Sequence, residues 1–425
     1  MQVHISPGKV SGSIVAPASK SMMQRACAGA LLHKGKTTIH NAGHSEDDMA
    51  ALSIIQKLGA TVREIDATTI EIISNGVEPS ALSIHCGESG LAARLFTPIA
   101  SLSKTPILIE GSGSLLKRPM ELFADILPQL EVGLSDFEGH IPFTVSGPLQ
   151  AKSLKVDGSV SSQFLSGLLF ALSYCTEEAI TIDVSQLKSK PYVDMTLEIL
   201  EHFGKPIPHD NYHRFYIDPA TFQKKDDVII SIEADWSSAA YWLVAGAING
   251  EINLKGLNLE SKQADKAILE VLKNANAQIT AGEGGVQVRS SVLRSFEFDA
   301  TDCPDLFPVL AILASACRGE SSIIGMHRLF HKESNRAESI CEMLQQLEVP
   351  FAIEDDALCV TGVQRLEGGV VDAYNDHRIT MAAAIASVHS RRPIIINGCE
   401  SVKKSYPDFF KDLNLLGIGC NFKDQ

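Results

Sequence analysis

The sequence predicts an α/β protein of two halves, each made of three repeated units with a buried helix at the centre. Three observations carry that prediction. Six strongly apolar, helix-length stretches recur at intervals of roughly 70 residues. Each opens in polar or charged residues, and each runs into a short β-branched strand. The chain has 425 residues, enough for two full cores.

Taken in order, the first stretch begins Ser19-Lys20-Ser21 and passes Arg25 before the small apolar run Ala26–Leu32, then a strand at Ile39. The second begins Gly87-Glu88-Ser89-Gly90 and passes Arg94 into Leu95–Ala100, then Leu108. Ser161-Ser162-Gln163 opens the third, Phe164–Leu172, before Ile182. Asp235-Trp236-Ser237-Ser238 opens the fourth, Ala239–Ala247, before Ile252. Pro304-Asp305 opens the fifth, Leu306–Ala314, before Ile323, and Asn375-Asp376-His377-Arg378 opens the sixth, Ile379–Ala386, before Ile395. A helix apolar on all sides has to be buried. Its first turn carries unpaired N–H groups and about half a positive charge, so such helices can converge on an anion.

A second half completes each unit. Asp47–Leu58, Met120–Leu130, Val193–Phe203, Ala264–Ala275 and Arg336–Leu347 read as amphipathic helices, each followed by a strand or hairpin. Glycines 59 and 204 stand just past two of them, where helices stop. One apolar helix per unit suits a helical core wrapped by sheets. The boundary between halves falls near 231–235, with a return crossing near 15–19. That gives domain 1 over 1–18 plus 233–425 and domain 2 over 19–232.

The formal net charge of −14 argues against general binding to nucleic acid or anionic membranes, which takes a basic field. An anionic substrate must therefore be drawn in by a local cationic cluster. The first residues show no signal-peptide pattern, and no apolar run reaches the ~18 residues of a membrane span. The nine cysteines are scattered without a C-x-x-C spacing, which reads as reduced thiols in the cytoplasm. No metal-ligand pattern is present, so neither metal nor cofactor is expected. The segment Ala30–Thr37 imitates a phosphate-binding loop, but it lacks the first glycine and runs from helix into strand, the reverse of the required order.

Singly, the polar helix openings are ordinary. Ser161-Ser162-Gln163 is a cap, Gly87-x-x-Gly90 a tight turn, Asp376-His377-Arg378 a capping carboxylate beside a solvated cation, and Lys332-Glu333 near Arg336 an i,i+4 surface pair. As a set they are not. Lys20, Arg25, Arg94 and Arg378 recur at equivalent places, where unpaired buried charge would be very costly without an anion. Arginine suits carboxylates and phosphates, and Asp305 and Glu333 among these cations are proton-transfer candidates. The residues alone thus point to a two-domain, metal-independent enzyme for a phosphorylated, carboxylated small molecule, with the reaction unnamed.

Eight strings then give a specific resemblance: PASKSMMQRA (Pro17–Ala26), KRPM (Lys117–Met120), DGSVSSQFL (Asp157–Leu165), SKPYVDMT (Ser189–Thr196), Pro304-Asp305, KESNR (Lys332–Arg336), YNDHR (Tyr374–Arg378) and KSYPDFF (Lys404–Phe410). In this order they resemble the 5-enolpyruvylshikimate-3-phosphate synthase family of enolpyruvyl transferases over essentially the whole chain. The resemblance implies an inside-out α/β barrel of six βαβαββ repeats, three per domain with buried parallel helices, closing on substrate. It implies transfer of the enolpyruvyl group of phosphoenolpyruvate to the 5-hydroxyl of shikimate 3-phosphate, on the route to chorismate and the aromatic amino acids, and a glyphosate target. Shikimate 3-phosphate would meet Lys20, Ser21, Arg25, Ser161, Ser162, Gln163, Ser189, Tyr192, Asp305 and Lys332. Phosphoenolpyruvate would meet Lys20, Gly90, Arg118, Gln163, Arg336, Arg378 and Lys404. Asp305 would take the proton of the attacking hydroxyl, and Glu333 with Lys20 would protonate the methylene carbon. A monomer is expected.

The chain departs from the family pattern at Glu88 and Leu91 in the Gly87–Leu91 loop, at Ala18, at Asn335 and at Arg328. Those changes bear on affinity and inhibitor sensitivity more than on the reaction class. The rival readings are the sister transferase acting on UDP-N-acetylglucosamine, whose reactive-loop cysteine has no counterpart in Gly111–Pro119, and a homologue that binds anions without chemistry.

Overall fold

In the computed structural model, which describes residues 1–282 and 284–423, the chain divides into two compact units. One is Met1–Pro17 with Ala234–Gln425, the other Ala18–Glu233. The six apolar stretches become helices Lys20–Leu32, Gly90–Ala100, Ser162–Cys175, Trp236–Asn249, Phe307–Ser315 and His377–Ala386. Their apolar residues are buried on every side, Trp236 and Trp242 completely, and each unit closes around one continuous hydrophobic core. The absence of a polar stripe dictated that burial. Close packing also needs small residues: a Cβ at Gly167 would stand 2.6 Å from the carbonyl oxygen of Arg94, so Ser162–Cys175 reaches Gly90–Ala100 only through glycine.

The strands form six four-stranded sheets of one design. In each, a parallel pair is continued by two antiparallel strands. The sheet Leu154–Asp157, Ile180–Ser185, Arg214–Ile217, His209–Asp210 shows it, with Leu154 opposite Ile182 and Ile182 opposite Phe215. The crossings exchange strands. Val10–Val15 precedes the first buried helix in sequence but lies parallel to Gly250–Lys255, whereas Asp227–Ser231 precedes the fourth and lies parallel to Gly35–His40. Gln2–Ile5 sits between Ile394–Asn397 and Cys420–Lys423, so the chain's first strand completes its sixth sheet.

Three expected helices differ in detail, the Ala264–Ala275 helix by opening as a 3-10 turn, Ala264–Ala267, ahead of the α-helix Ile268–Asn274. The Met120–Leu130 helix divides into Leu122–Ile126 and a 3-10 turn Leu127–Leu130, because Pro128 has no N–H to continue the α ladder. The fifth buried helix starts at Phe307, and Asp305 occupies a single 3-10 turn, Pro304–Leu306. Pro308 cannot donate to the Pro304 carbonyl, so the α pattern cannot extend back. Asp305 therefore projects from a tight turn ahead of the helix.

Candidate active site

In the Ala18–Glu233 unit several candidate residues stand where buried helices begin. Ser19 caps the first helix by accepting from Met22 N, which puts Lys20 at its first position. Lys20 Nζ lies 2.9 Å from the Asp47 carboxylate. Asp47 is held by helix Glu46–Lys57, whose start is fixed by a capping box between Ser45 and Asp48. Burial pushes the Asp48 carboxyl up to about 6.

One turn further along, Arg25 is 1% exposed. Its Nε donates to Thr196 Oγ1 at 2.8 Å, Nη1 to the Ser21 carbonyl at 2.9 Å and Nη2 to the Tyr192 carbonyl at 3.0 Å. Every one of these partners is neutral. Burial accordingly pulls the Arg25 pKa down to about 10. Ser189, with φ 55° and ψ 48°, ends the preceding loop in a left-handed conformation, and its carbonyl accepts from Tyr192 N at 3.1 Å. Ser21, Arg25, Ser189 and Tyr192 are thus linked through backbone contacts.

The third helix adds Ser161, which accepts from Gln163 N at 3.2 Å, and buried Ser162. Gln163 Oε1 accepts from Arg94 Nη1 at 2.9 Å, while Arg94 Nη2 donates to the Pro119 carbonyl at 2.9 Å. Arg94 thereby ties the third helix to the Lys117–Met120 segment. Arg118 is buried, and a Cβ at Gly90 would come within 2.4 Å of its Nη1. Gly90 is what lets the guanidinium lie against the second helix. Glu88 turns away to its neighbouring loop: its Oε2 accepts from Ser114 N at 2.9 Å, and Leu91 is buried in the core.

The other unit holds a denser cluster. Arg336 is fully buried; its Nη1 donates to Asp305 Oδ1 at 2.8 Å, its Nε to Asp376 Oδ2 at 2.9 Å, and its Nη2 to Asp376 Oδ1 at 3.2 Å and to Glu333. Lys332 Nζ reaches Asp305 Oδ1 at 3.3 Å, and Arg378 Nη2 reaches Asp305 Oδ2 at 3.0 Å. Asp376 also caps its helix through Arg378 N at 2.9 Å. Lys404 Nζ donates to the Asn375 carbonyl at 2.7 Å, which brings it to the same helix opening. Burial would push Asp305 up, but Arg378, Lys332 and Arg336 outweigh it and hold the carboxyl well below the usual carboxylate range. Burial likewise lowers Lys332, and Asp305 opposes it. Arg336 is raised above its ordinary value, since Asp376, Glu333 and Asp305 more than offset its burial. Nearby, burial and the Asp305 charge push buried Asp265 up to about 7; its Oδ2 accepts from the Ser237 hydroxyl.

The model of the EPSP synthase family, 3-phosphoshikimate 1-carboxyvinyltransferase, matches residues 5–413. The chain belongs to that family. Relatives named 3-phosphoshikimate 1-carboxyvinyltransferase include those of Clostridium acetobutylicum, 36% identical over 98% of this chain and 97% of the relative, and of Clostridium perfringens, 37% identical over 98% of each. In fold the chain is similar to EPSP synthase from Acinetobacter baumannii, with TM-score 0.83, 24% identity and coverage of 99% and 100%. It is also similar to the enolpyruvyl transferase NikO from Streptomyces tendae, with TM-score 0.78, 17% identity and coverage of 99% and 98%. The chain has the enolpyruvyl-transferase fold.

As an EPSP synthase family member, the chain places Lys20, Ser21, Arg25, Gly90, Arg118, Ser161, Ser162, Gln163, Ser189 and Tyr192 in one unit and Asp305, Lys332, Glu333, Arg336, Arg378 and Lys404 in the other. Sequence reasoning did not assign Asp47 to Lys20, Thr196 to Arg25, or Asp376 to Arg336. Thr196 ends a matched string and Asp376 stands inside one, so membership in a motif was the available signal. Asp47 offered only an acidic first turn, the ordinary mark of a helix start.

Proposed function

We propose that these two groups of residues carry out the family's reaction, transfer of the enolpyruvyl group of phosphoenolpyruvate to the 5-hydroxyl of shikimate 3-phosphate. Lys20, Ser21, Arg25, Ser161, Ser162, Gln163, Ser189, Tyr192 and Lys332 bind shikimate 3-phosphate, with Asp305 at its 5-hydroxyl. Lys20, Gly90, Arg118, Gln163, Arg336, Arg378 and Lys404 bind phosphoenolpyruvate. Glu333, with Lys20, protonates the methylene carbon, which leaves cationic character at C2. The 5-hydroxyl oxygen attacks C2 and gives its proton to Asp305. The tetrahedral adduct then breaks its C2–O bond to phosphate while the new C3 methyl returns a proton to Glu333, which re-forms the C=C bond, and the departing anion is stabilised by the cations around it. The scheme uses this chain's own residues and no cofactor, in a monomeric cytoplasmic enzyme.

The observation that carries this reading is the state of Asp305. Held by Lys332, Arg336 and Arg378, it is a weak base. Anionic substrates that draw those cations away restore its basicity, so base strength rises only when the site is filled. This coupling protects phosphoenolpyruvate from idle hydrolysis. Among the described residues no helix is long and apolar enough to cross a membrane.

The test is phosphate release from phosphoenolpyruvate with shikimate 3-phosphate, and again with UDP-N-acetylglucosamine in its place. Release with the first acceptor alone is expected. Release with the second alone, or with neither, overturns the proposal; a single sedimenting species at monomer mass checks the oligomeric state.

A further inference from the structure

We propose that this protein has a second small-molecule site, made of residues the reaction does not use, that takes an aromatic monocarboxylate. It is a cavity of about 580 Å³ in the unit of Met1–Pro17 and Ala234–Gln425. Its walls come from the 3-10 helix Cys399–Lys404, the helix Phe409–Leu415 and the edge strand Cys420–Lys423. That volume lies within the range of small-ligand sites, roughly 300–1,000 Å³.

The lining specifies the ligand. Phe410 and Phe422 meet edge to face, with centroids 5.4 Å apart and planes at 89°, and Val402 and Pro407 continue the apolar wall. Leu415 is 67% exposed and Phe422 48% exposed. Exposed apolar side chains scattered singly mean little, but several rimming one concavity leave a surface that water solvates poorly. An aromatic ring inserted there gains the offset and edge contacts that aromatic pairs favour.

The rim selects an anion. The carboxylate in its lining, Glu400, lies 3.2 Å from the Met1 ammonium, and Asp408, next to the lining residue Pro407, lies 3.8 Å from Lys411. Lys403 also lines the cavity, so with Lys411 and the Met1 ammonium three cations stand around the lining carboxylate of Glu400. One carboxylate at the mouth would meet Lys403, and Lys411 is within the same lining. Binding is non-covalent, because burial pushes the Cys399 thiol up to about 11 and leaves it a poor nucleophile.

The experiment is a fluorescence titration with 8-anilinonaphthalene-1-sulfonate, an aromatic monoanion, followed by displacement with 3-phenylpropanoate. Saturable binding at one site per chain is expected, displaced by 3-phenylpropanoate and much less by 3-phenylpropanamide. Leu415→Asp should abolish that binding, and Lys403→Glu should weaken it about fivefold, the scale of a partly exposed ion pair. Unsaturable binding, binding indifferent to both substitutions, or equal displacement by the amide would overturn the site. So would a dimer, seen by sedimentation, that Leu415→Asp dissociates, since the patch would then be an interface between copies. The readout does not involve enolpyruvyl transfer, so it stands or falls apart from the reaction proposed above.

Discussion

Arg25 and Arg336 are both buried arginines in helices, yet their surroundings are opposite. Arg25, in the Ala18–Glu233 unit, donates to one hydroxyl and two carbonyls. Arg336, in the other unit, donates to Asp305, Glu333 and Asp376. In the function proposed above, the first receives the shikimate 3-phosphate anion. The second belongs to a cluster in which Lys332, Arg336 and Arg378 are balanced by three carboxylates before substrate binds. The lesson is that burial of an arginine does not fix its partners: Arg25 is held by neutral groups, Arg336 by carboxylates.

The strongest way to break this contrast is at Asp305. Asp305→Asn keeps the shape but removes the base, and kcat for phosphate release should fall about 10³-fold, within the range of a general base. Near-normal turnover in a folded variant would refute its role.

Paired arginine substitutions come next. Arg336→Met should destabilise by about 3–5 kcal/mol, measured by urea unfolding, because it strands buried carboxylates. Arg25→Met should leave stability almost unchanged and instead raise the KM for shikimate 3-phosphate about 100-fold. Equal losses of stability in the two variants would erase the distinction between the units.

Asp265 sharpens it through pH. Its folded pKa of about 7 lies above the ordinary carboxylate value, so the folded state holds the extra proton between roughly pH 4 and pH 7. Stability from this group is therefore complete below about pH 4 and is lost as pH rises towards 7, by no more than roughly 4 kcal/mol. Asp265→Asn should flatten that slope in unfolding curves taken across the window; an unchanged slope would exclude this group as its source.

Smaller effects are expected in the binding unit. Gly90→Ala should push the Arg118 guanidinium aside and raise the KM for phosphoenolpyruvate about tenfold, a displacement worth about 1.4 kcal/mol. The KM for shikimate 3-phosphate should hold. Glu88→Gln should change the KM for phosphoenolpyruvate less than about twofold, since its carboxylate caps the 113–117 turn through Ser114 N, a bond the amide oxygen can replace.

Much of this molecule was legible beforehand. Six runs without a polar stripe had to become interior helices, and burial is a local property of composition. The polar openings of those helices were legible too, as were the strings that mark the family. The 3-10 turn at Asp305 could have been read from Pro308, but only by following one missing donor.

What the sequence by itself determined is the set of buried helices, their polar first turns and the family they belong to, because apolar periodicity and motif order are written along the chain. Tertiary structure alone decided which group answers which base: Lys20 with Asp47, Arg336 with Asp376 forty residues away, Arg25 with a hydroxyl and two carbonyls. It also decided that Val10–Val15 and Asp227–Ser231 pair away from the helices they precede. An ion pair or a strand register is a matter of distance in space, and residues far apart in sequence have no local signal for it.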